Sequence, residues 1–191
     1  LKLLTLTDWK RTKTNDMKTR SFFILFVLLL ALGSCNNPVK EIDIQVEEEV
    51  IVEFGDHGPD PFVFDIEAYT LGNDLYRRAI WTGNNMQMTL MSLAPGEEIG
   101  LEKHPEIDQF LRIESGKGIV VMGDEKENLT FREEVEDDFA VFIPAGKFHN
   151  VINTGDEPLK IYSIYTPPEH PFGTVHETYE EGMEAEHHHH Q

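Results

Sequence analysis

Two short stretches of this chain carry side chains whose types and spacing could hold a divalent transition metal. Glu102, His104 and Gln109 lie in the run from Gly96 to Gln109, and His149 lies in the run from Pro144 to Asn153. Imidazole nitrogens combined with carboxylate and amide oxygens suit zinc, iron, manganese or nickel. A metal so held, with positions left open, polarises a carbonyl and acidifies the C–H beside it, which is the chemistry of isomerisation. Glu102, His104 and His149 also have the makeup of a two-histidine, one-carboxylate triad, the iron site of oxygen-dependent dioxygenases. Taken singly, each residue has an ordinary reading: a surface carboxylate, a polar turn residue, two histidines of core or surface. Together they point to a metal.

Strand geometry decides which of them can meet. Glu102 and His104 are two apart, so on a strand they share a face while Leu101 and Lys103 take the other. Pro105 and Glu106 supply a turn. Gln109 then opens the returning strand on the face of Leu111 and Ile113, whereas Asp108, the better ligand in isolation, points away. His149 follows the turn Pro144-Ala145-Gly146, so the fourth donor comes from a distant strand and the metal binds only in the folded domain.

The rest of the pattern is that of an all-β domain. Apolar runs broken by Gly, Pro, Asn or Asp roughly every eight to twelve residues predict an antiparallel sandwich or barrel. Strands are expected near Tyr76 to Trp81, Met86 to Leu93, Ile99 to His104, Gln109 to Glu114, Gly118 to Met122, Leu129 to Phe131, Phe139 to Ile143, His149 to Asn153 and Leu159 to Tyr165. The acidic stretch Glu133 to Asp138 reads as a hairpin turn. A short helix is expected over Asp65 to Leu71, with Asp65 as its cap and Gly72 as its stop. Residues 35–61 read as a tether and an edge strand over Val50 to Phe54, residues 62–166 as the barrel, and residues 167–191 as a tail. Trp81, Met86, Met88, Met91, Phe110, Phe142 and Phe148 read as core, some of them lining a pocket.

At the metal-suited residues the chain resembles the cupin superfamily. That superfamily carries a first motif of Gly, two His one residue apart, Glu and a closing Gly, and a second of Gly, Pro, Gly, His and Asn. Gly96, His104 and Gly116 fit the first; Pro144, Gly146, His149 and Asn153 fit the second. Glu102 replaces the first His, Gln109 replaces the Glu, and Asp138 stands where the second motif opens with Gly. The resemblance implies a double-stranded β-helix, or jelly roll, holding one divalent metal (Zn, Fe, Mn or Ni) on Glu102, His104, Gln109 and His149. Phosphomannose isomerases of the cupin type use a similar mixture of Gln, Glu and two His. This implies a sugar-isomerase-like action on a small carbonyl or hydroxyl compound, with an iron-dependent dioxygenase or a non-catalytic ligand-binding or structural protein as alternatives. Glu102 and His176 are the candidates for a catalytic base. Dimerisation is common among small cupins, so a homodimer is an expectation by resemblance.

Composition bounds the partners. Over 191 residues the net charge is −19, and beyond the first 34 residues 10 basic residues face 33 acidic ones. Such a surface repels phosphate backbones, so nucleic acid is not expected as a partner. Lys18 and Arg20 precede the apolar run Phe22 to Leu32, which has the length of a signal-peptide core rather than a bilayer span. Leu32-Gly33-Ser34-Cys35 resembles a bacterial lipobox, and Cys35 is the sole cysteine. Residues 17–34 are thus expected to be a lipoprotein signal peptide starting at Met17, with residues 1–16 upstream read-through and Cys35 the lipidated residue. That implies a cell-envelope protein, in the outer membrane rather than the inner because Asn36 follows the cysteine, which touches the membrane through lipid alone. The mature domain then has no disulfide. The tail carries His170 and His176 among Pro and aromatic residues; such histidines are ordinarily exposed, although the tail could close over the barrel mouth. His187 to His190 resemble a purification tag and are set apart from the site.

Overall fold

The computed structural model describes residues 52–189, with side chains as far as residue 186. The chain divides into two units, residues 1–46 and 47–191, and everything described belongs to the second. The readings of an upstream segment, a signal peptide, a lipidated Cys35 and most of the tether fall outside the described residues, as do the side chains of His187 to His190.

In chain order the elements are α1 (Ile66–Gly72), β1 (Arg77–Thr82), β2 (Gln87–Leu93), β3 (Glu102–Lys103), β4 (Asp108–Ser115), β5 (Lys117–Gly123), β6 (Phe131–Glu136), β7 (Ala140–Ile143), β8 (Phe148–Asn153), β9 (Leu159–Thr166), β10 (Val175–His176) and α2 (Tyr179–His189). They form two antiparallel sheets, β10-β1-β2-β9-β4-β7 and β3-β8-β5-β6. Neighbours in each sheet are mostly distant in sequence, the winding of a double-stranded β-helix.

Period-two alternation gives each sheet an inner and an outer face. Leu93, Ile113, Leu159, Ile161, Val120 and Val151 point inward and form the main core. Each such aliphatic side chain, removed from water, contributes roughly 1.5–3 kcal/mol before entropy is counted. On the outer face of the six-stranded sheet Ile80, Met88, Leu90 and Tyr162 make a second cluster, covered by Tyr69 of α1 and by Val52, Phe54, Phe62, Phe64 and Ile66. α1 is capped as expected, Asp65 Oδ1 accepting from Ala68 N–H at 3.1 Å, but it runs through Gly72 and ends at Asn73.

Four expectations need correction. Val52 to Phe54 form no strand; the segment is tied to β1 by one backbone bond, His57 N–H donating to Ile80 O at 2.9 Å, and by Thr82 Oγ1 donating to Asp56 and Trp81 Nε1 to Asp60 O, and Pro59 and Pro61 have no N–H to continue a ladder. The acidic stretch is not a turn: β6 runs to Glu136 and pairs with β5, with Val135 buried and its neighbours Glu134 and Glu136 exposed, the charged edge strand that resists pairing with another chain. The strand expected over Ile99 to His104 shrinks to Glu102–Lys103, because Gly100 has φ +92 and breaks the extended run. Met86 and Phe142 are exposed rather than core.

Candidate metal centre

β3 and β8 put Glu102 directly opposite His149, and Met122 of β5 lies on the far side of His149 in the same register. His104 follows β3 immediately, on the face of Glu102. The ligand atoms of Glu102, His104 and His149 lie within 4.8 Å of one another, and all three residues are buried. Glu102 Oε1 is the focus: His104 Nε2 lies 3.2 Å from it and His149 Nε2 3.1 Å.

The opposite ring nitrogens are held from behind. His149 Nδ1 is 3.0 Å from Lys147 O, so it carries the proton and donates it there. His104 Nδ1 is 3.4 Å from Glu169 Oε1, a carboxylate brought in by the tail. Both Nε2 atoms therefore face Glu102, the orientation that metal-binding histidines keep by hydrogen-bonding their other nitrogen. Burial alone would raise the Glu102 carboxyl and lower the His104 imidazole. Hydrogen bonds between Glu102 and the two histidines overcome this for the carboxyl, holding it well below the usual range, and Glu102 with Glu169 raise His104 to about 10. Without a metal, a proton on His104 fills the same electrostatic role.

Gln109 is buried on the inner face of β4, opposite Tyr165 of β9. Its Nε2 donates to Ser163 Oγ at 2.9 Å, while its Oε1 is buried without a hydrogen-bond partner. An amide oxygen left so is costly, about 1–3 kcal/mol, unless something accepts its lone pairs, and it is the atom of this residue that binds metals. The three converging donors, two nitrogens and a carboxylate oxygen with a partner behind each histidine, thus fit a divalent ion. Asp108 points the other way and accepts from Ala145 N–H at 2.9 Å, anchoring the turn that leads to His149.

The tail closes on this end of the barrel. His170, ordinarily expected to be exposed, is 8% exposed; its N–H donates to Gln87 Oε1 and its carbonyl accepts from Gln87 Nε2. Its ring meets Tyr165 edge-on at 5.2 Å, and Tyr165 in turn meets His104 at 5.9 Å. Burial, with the nearby Arg77 cation, pushes the His170 imidazole down to about 2, so it is neutral. His176 lies in β10 opposite Arg77 of β1. Arg77 is fully buried and pairs with Glu186 of α2 at 2.6 Å. Sequence reasoning passed over Arg77, Tyr165, Ser163 and Glu169. Parity with Ala79 would have put Arg77 on the inner face; nothing in the tail's sequence singles out Glu169.

A β jelly roll with a histidine- and carboxylate-lined end defines the class, and residues 89–165 match the family described as Cupin domain. The chain belongs to the cupin family. It is 60% identical over 131 residues to the uncharacterized protein YrkC of Bacillus subtilis (strain 168), covering 69% of this chain and 70% of that one. It is 39% identical over 115 residues to an uncharacterized protein of Acanthamoeba polyphaga mimivirus, covering 60% of this chain and 70% of that one. The crystal structure of BH2720 from Bacillus halodurans is similar with a TM-score of 0.68 at 60% identity, over 68% of this chain and 98% of that one.

Proposed function

We propose that this protein binds one divalent metal through Glu102, His104, Gln109 and His149 and isomerises a small compound with adjacent carbonyl and hydroxyl groups, such as a sugar or sugar acid. The observation that carries the reading is the convergence of two Nε2 atoms and Glu102 Oε1, with each histidine's other nitrogen held from behind. Bound there, the metal supplies Lewis acidity toward the substrate oxygens. Glu102 is held between two imidazoles with its pKa depressed, so it serves as a ligand and not as the base. His176, across from Arg77, is the remaining candidate for moving the proton.

Metal analysis tests this on protein freed of its terminal His run. About one equivalent per chain is expected, as for a four-donor site, and a joint change of His104 and His149 to Ala should abolish it. Turnover of a carbonyl sugar with zinc, manganese or nickel supports isomerisation. Iron accompanied by oxygen uptake would move the reading to a dioxygenase on Glu102, His104 and His149, and metal-free protein of unchanged stability would overturn both. We propose in addition that the chain is lipid-anchored at the cell envelope through Cys35; the support is the run from Lys18 to Cys35 alone. Labelled fatty acid should enter the wild type and not Cys35→Ala.

A further inference from the structure

Arg77 heads the largest side chains of the described residues that are fully buried. A cation in that position is destabilising unless an anion faces it. Glu102 of the barrel acts on it electrostatically, but the anion in contact does not come from the barrel. It is Glu186, near the end of the acidic helix α2, and it takes one nitrogen of the guanidinium, Nη1 to Oε1 at 2.6 Å. Arg77 Nε is buried without a hydrogen-bond partner, as are Thr89 Oγ1 and His170 Nε2. Thr89 pairs with Ala79, which shares the inner face of β1 with Arg77. The cation also acts electrostatically on Glu102, Tyr165 and His170, so it belongs to the same end of the barrel as the metal cluster.

We propose that Arg77 is a carboxylate subsite, that Glu186 is its built-in occupant, and that the ligand is a small hydroxy or keto acid whose carboxylate replaces Glu186. The acid's hydroxyl or carbonyl oxygen would then face Glu102, His104 and His149; that half of the inference rests on the metal reading, whereas the Arg77 half does not. Exchange of one carboxylate for another leaves Arg77 paired throughout, so no buried charge is ever uncompensated. A free carboxylate can also take the guanidinium two-pronged, using donors that Glu186 leaves idle. The side open to exchange is that of Glu186, where 12% of its side chain reaches solvent against 1% for Arg77. The helix need not leave: its first half is fastened by Tyr179 on Tyr76, at 5.6 Å, and by Met183 near Gly100, while Glu186 lies beyond both.

Calorimetric titration of the full chain with glycolate, and with ethylene glycol as its neutral counterpart, tests the inference. An internal competitor lowers apparent affinity by the fraction of time the site is free, so Glu186→Gln should tighten glycolate binding roughly tenfold. Ethylene glycol should be indifferent to the change, and Arg77→Gln should lose glycolate. If Arg77→Gln fails to fold, the gain in Glu186→Gln remains decisive, since damage to the fold does not tighten binding. No gain, or an equal gain for ethylene glycol, overturns the subsite. The titrations are run on metal-free protein and again with one equivalent of zinc. A chain that takes no zinc but shows the Glu186 effect loses the metal reading and keeps the subsite; one that takes zinc without the Glu186 effect loses the subsite alone.

Discussion

Of the neighbours Asp108 and Gln109, one anchors a turn and the other faces the interior, and the period of a strand was enough to tell them apart. The same arithmetic was available for Arg77 and Arg78, since Arg78 lies over the Phe54 ring on the outer face, but a buried arginine is rare enough that neither drew notice. Glu169 was illegible for another reason: its partner His104 is reached only after the chain has left the last strand of the barrel and turned back. Its role is checkable. Glu169→Ala should lower zinc affinity about 10–100-fold, the usual cost of losing the group behind a ligating histidine, with stoichiometry unchanged. Equilibrium dialysis against a competing chelator measures it. His170 gives a second residue-scale prediction. Its folded-state pKa, about 2, lies below the ordinary value of 6.5, so the unfolded chain binds the proton first. Stability from its neutral form is therefore complete above about pH 6.5 and lost as pH falls toward about 2, by up to about 1.4 kcal/mol per pH unit. Urea denaturation from pH 7 to pH 4 should show a shallower decline for His170→Gln than for the wild type.

At the scale of elements, the strands of the barrel were readable because each has an apolar face and a turn residue at its end. β6 defeated that reading since an edge strand with Glu133, Glu134 and Glu136 in water looks like a loop. β10 and α2 carried no pattern to read: two residues make no period, and α2 is acidic with little apolar face. Asp138 shows how a departure from a motif is absorbed. It stands where glycine opens the cupin family's second motif, and it adopts φ +71, the left-handed conformation glycine allows. Aspartate tolerates that region better than most residues, and Arg112 holds its carboxylate in an ion pair. Asp138→Ala should therefore cost about 1–2 kcal/mol, the left-handed penalty of an ordinary L-residue, while Asp138→Gly loses the ion pair but not the conformation and should cost less. Urea midpoints of the two variants against wild type decide the order.

The described unit as a whole is a sheet pair whose interior is apolar at one end and polar at the other, with the tail laid across the polar end. Rows of inward residues make the division visible: Leu93, Leu159 and Ile113 give way along the same strands to Thr89, Ser163, Gln87, Tyr165 and Gln109. A barrel can leave such polar groups inside only if something meets them, and the tail meets many, through Glu169, His170 and Glu186. The tail is thus both cover and part of the site, and its two halves should be separable. β10 extends the sheet, and Ala79 N–H donates to Thr174 O beside it at 2.8 Å; among its described side chains, α2 sets Tyr179, Met183 and the Glu186 carboxylate against the barrel. A chain ending at Thr178 should keep its zinc stoichiometry, losing on the order of 2 kcal/mol for the area Tyr179 and Met183 cover and about 3–5 kcal/mol more because Arg77 is left without Glu186. A chain ending at Thr166 should lose far more, because Glu169 no longer backs His104, Gln87 loses both bonds to His170, and β1 is left as a bare edge. Thermal melting with metal analysis on the two truncations distinguishes a structural β10 from an accessory α2, and equal losses in both would show that the tail acts as one piece.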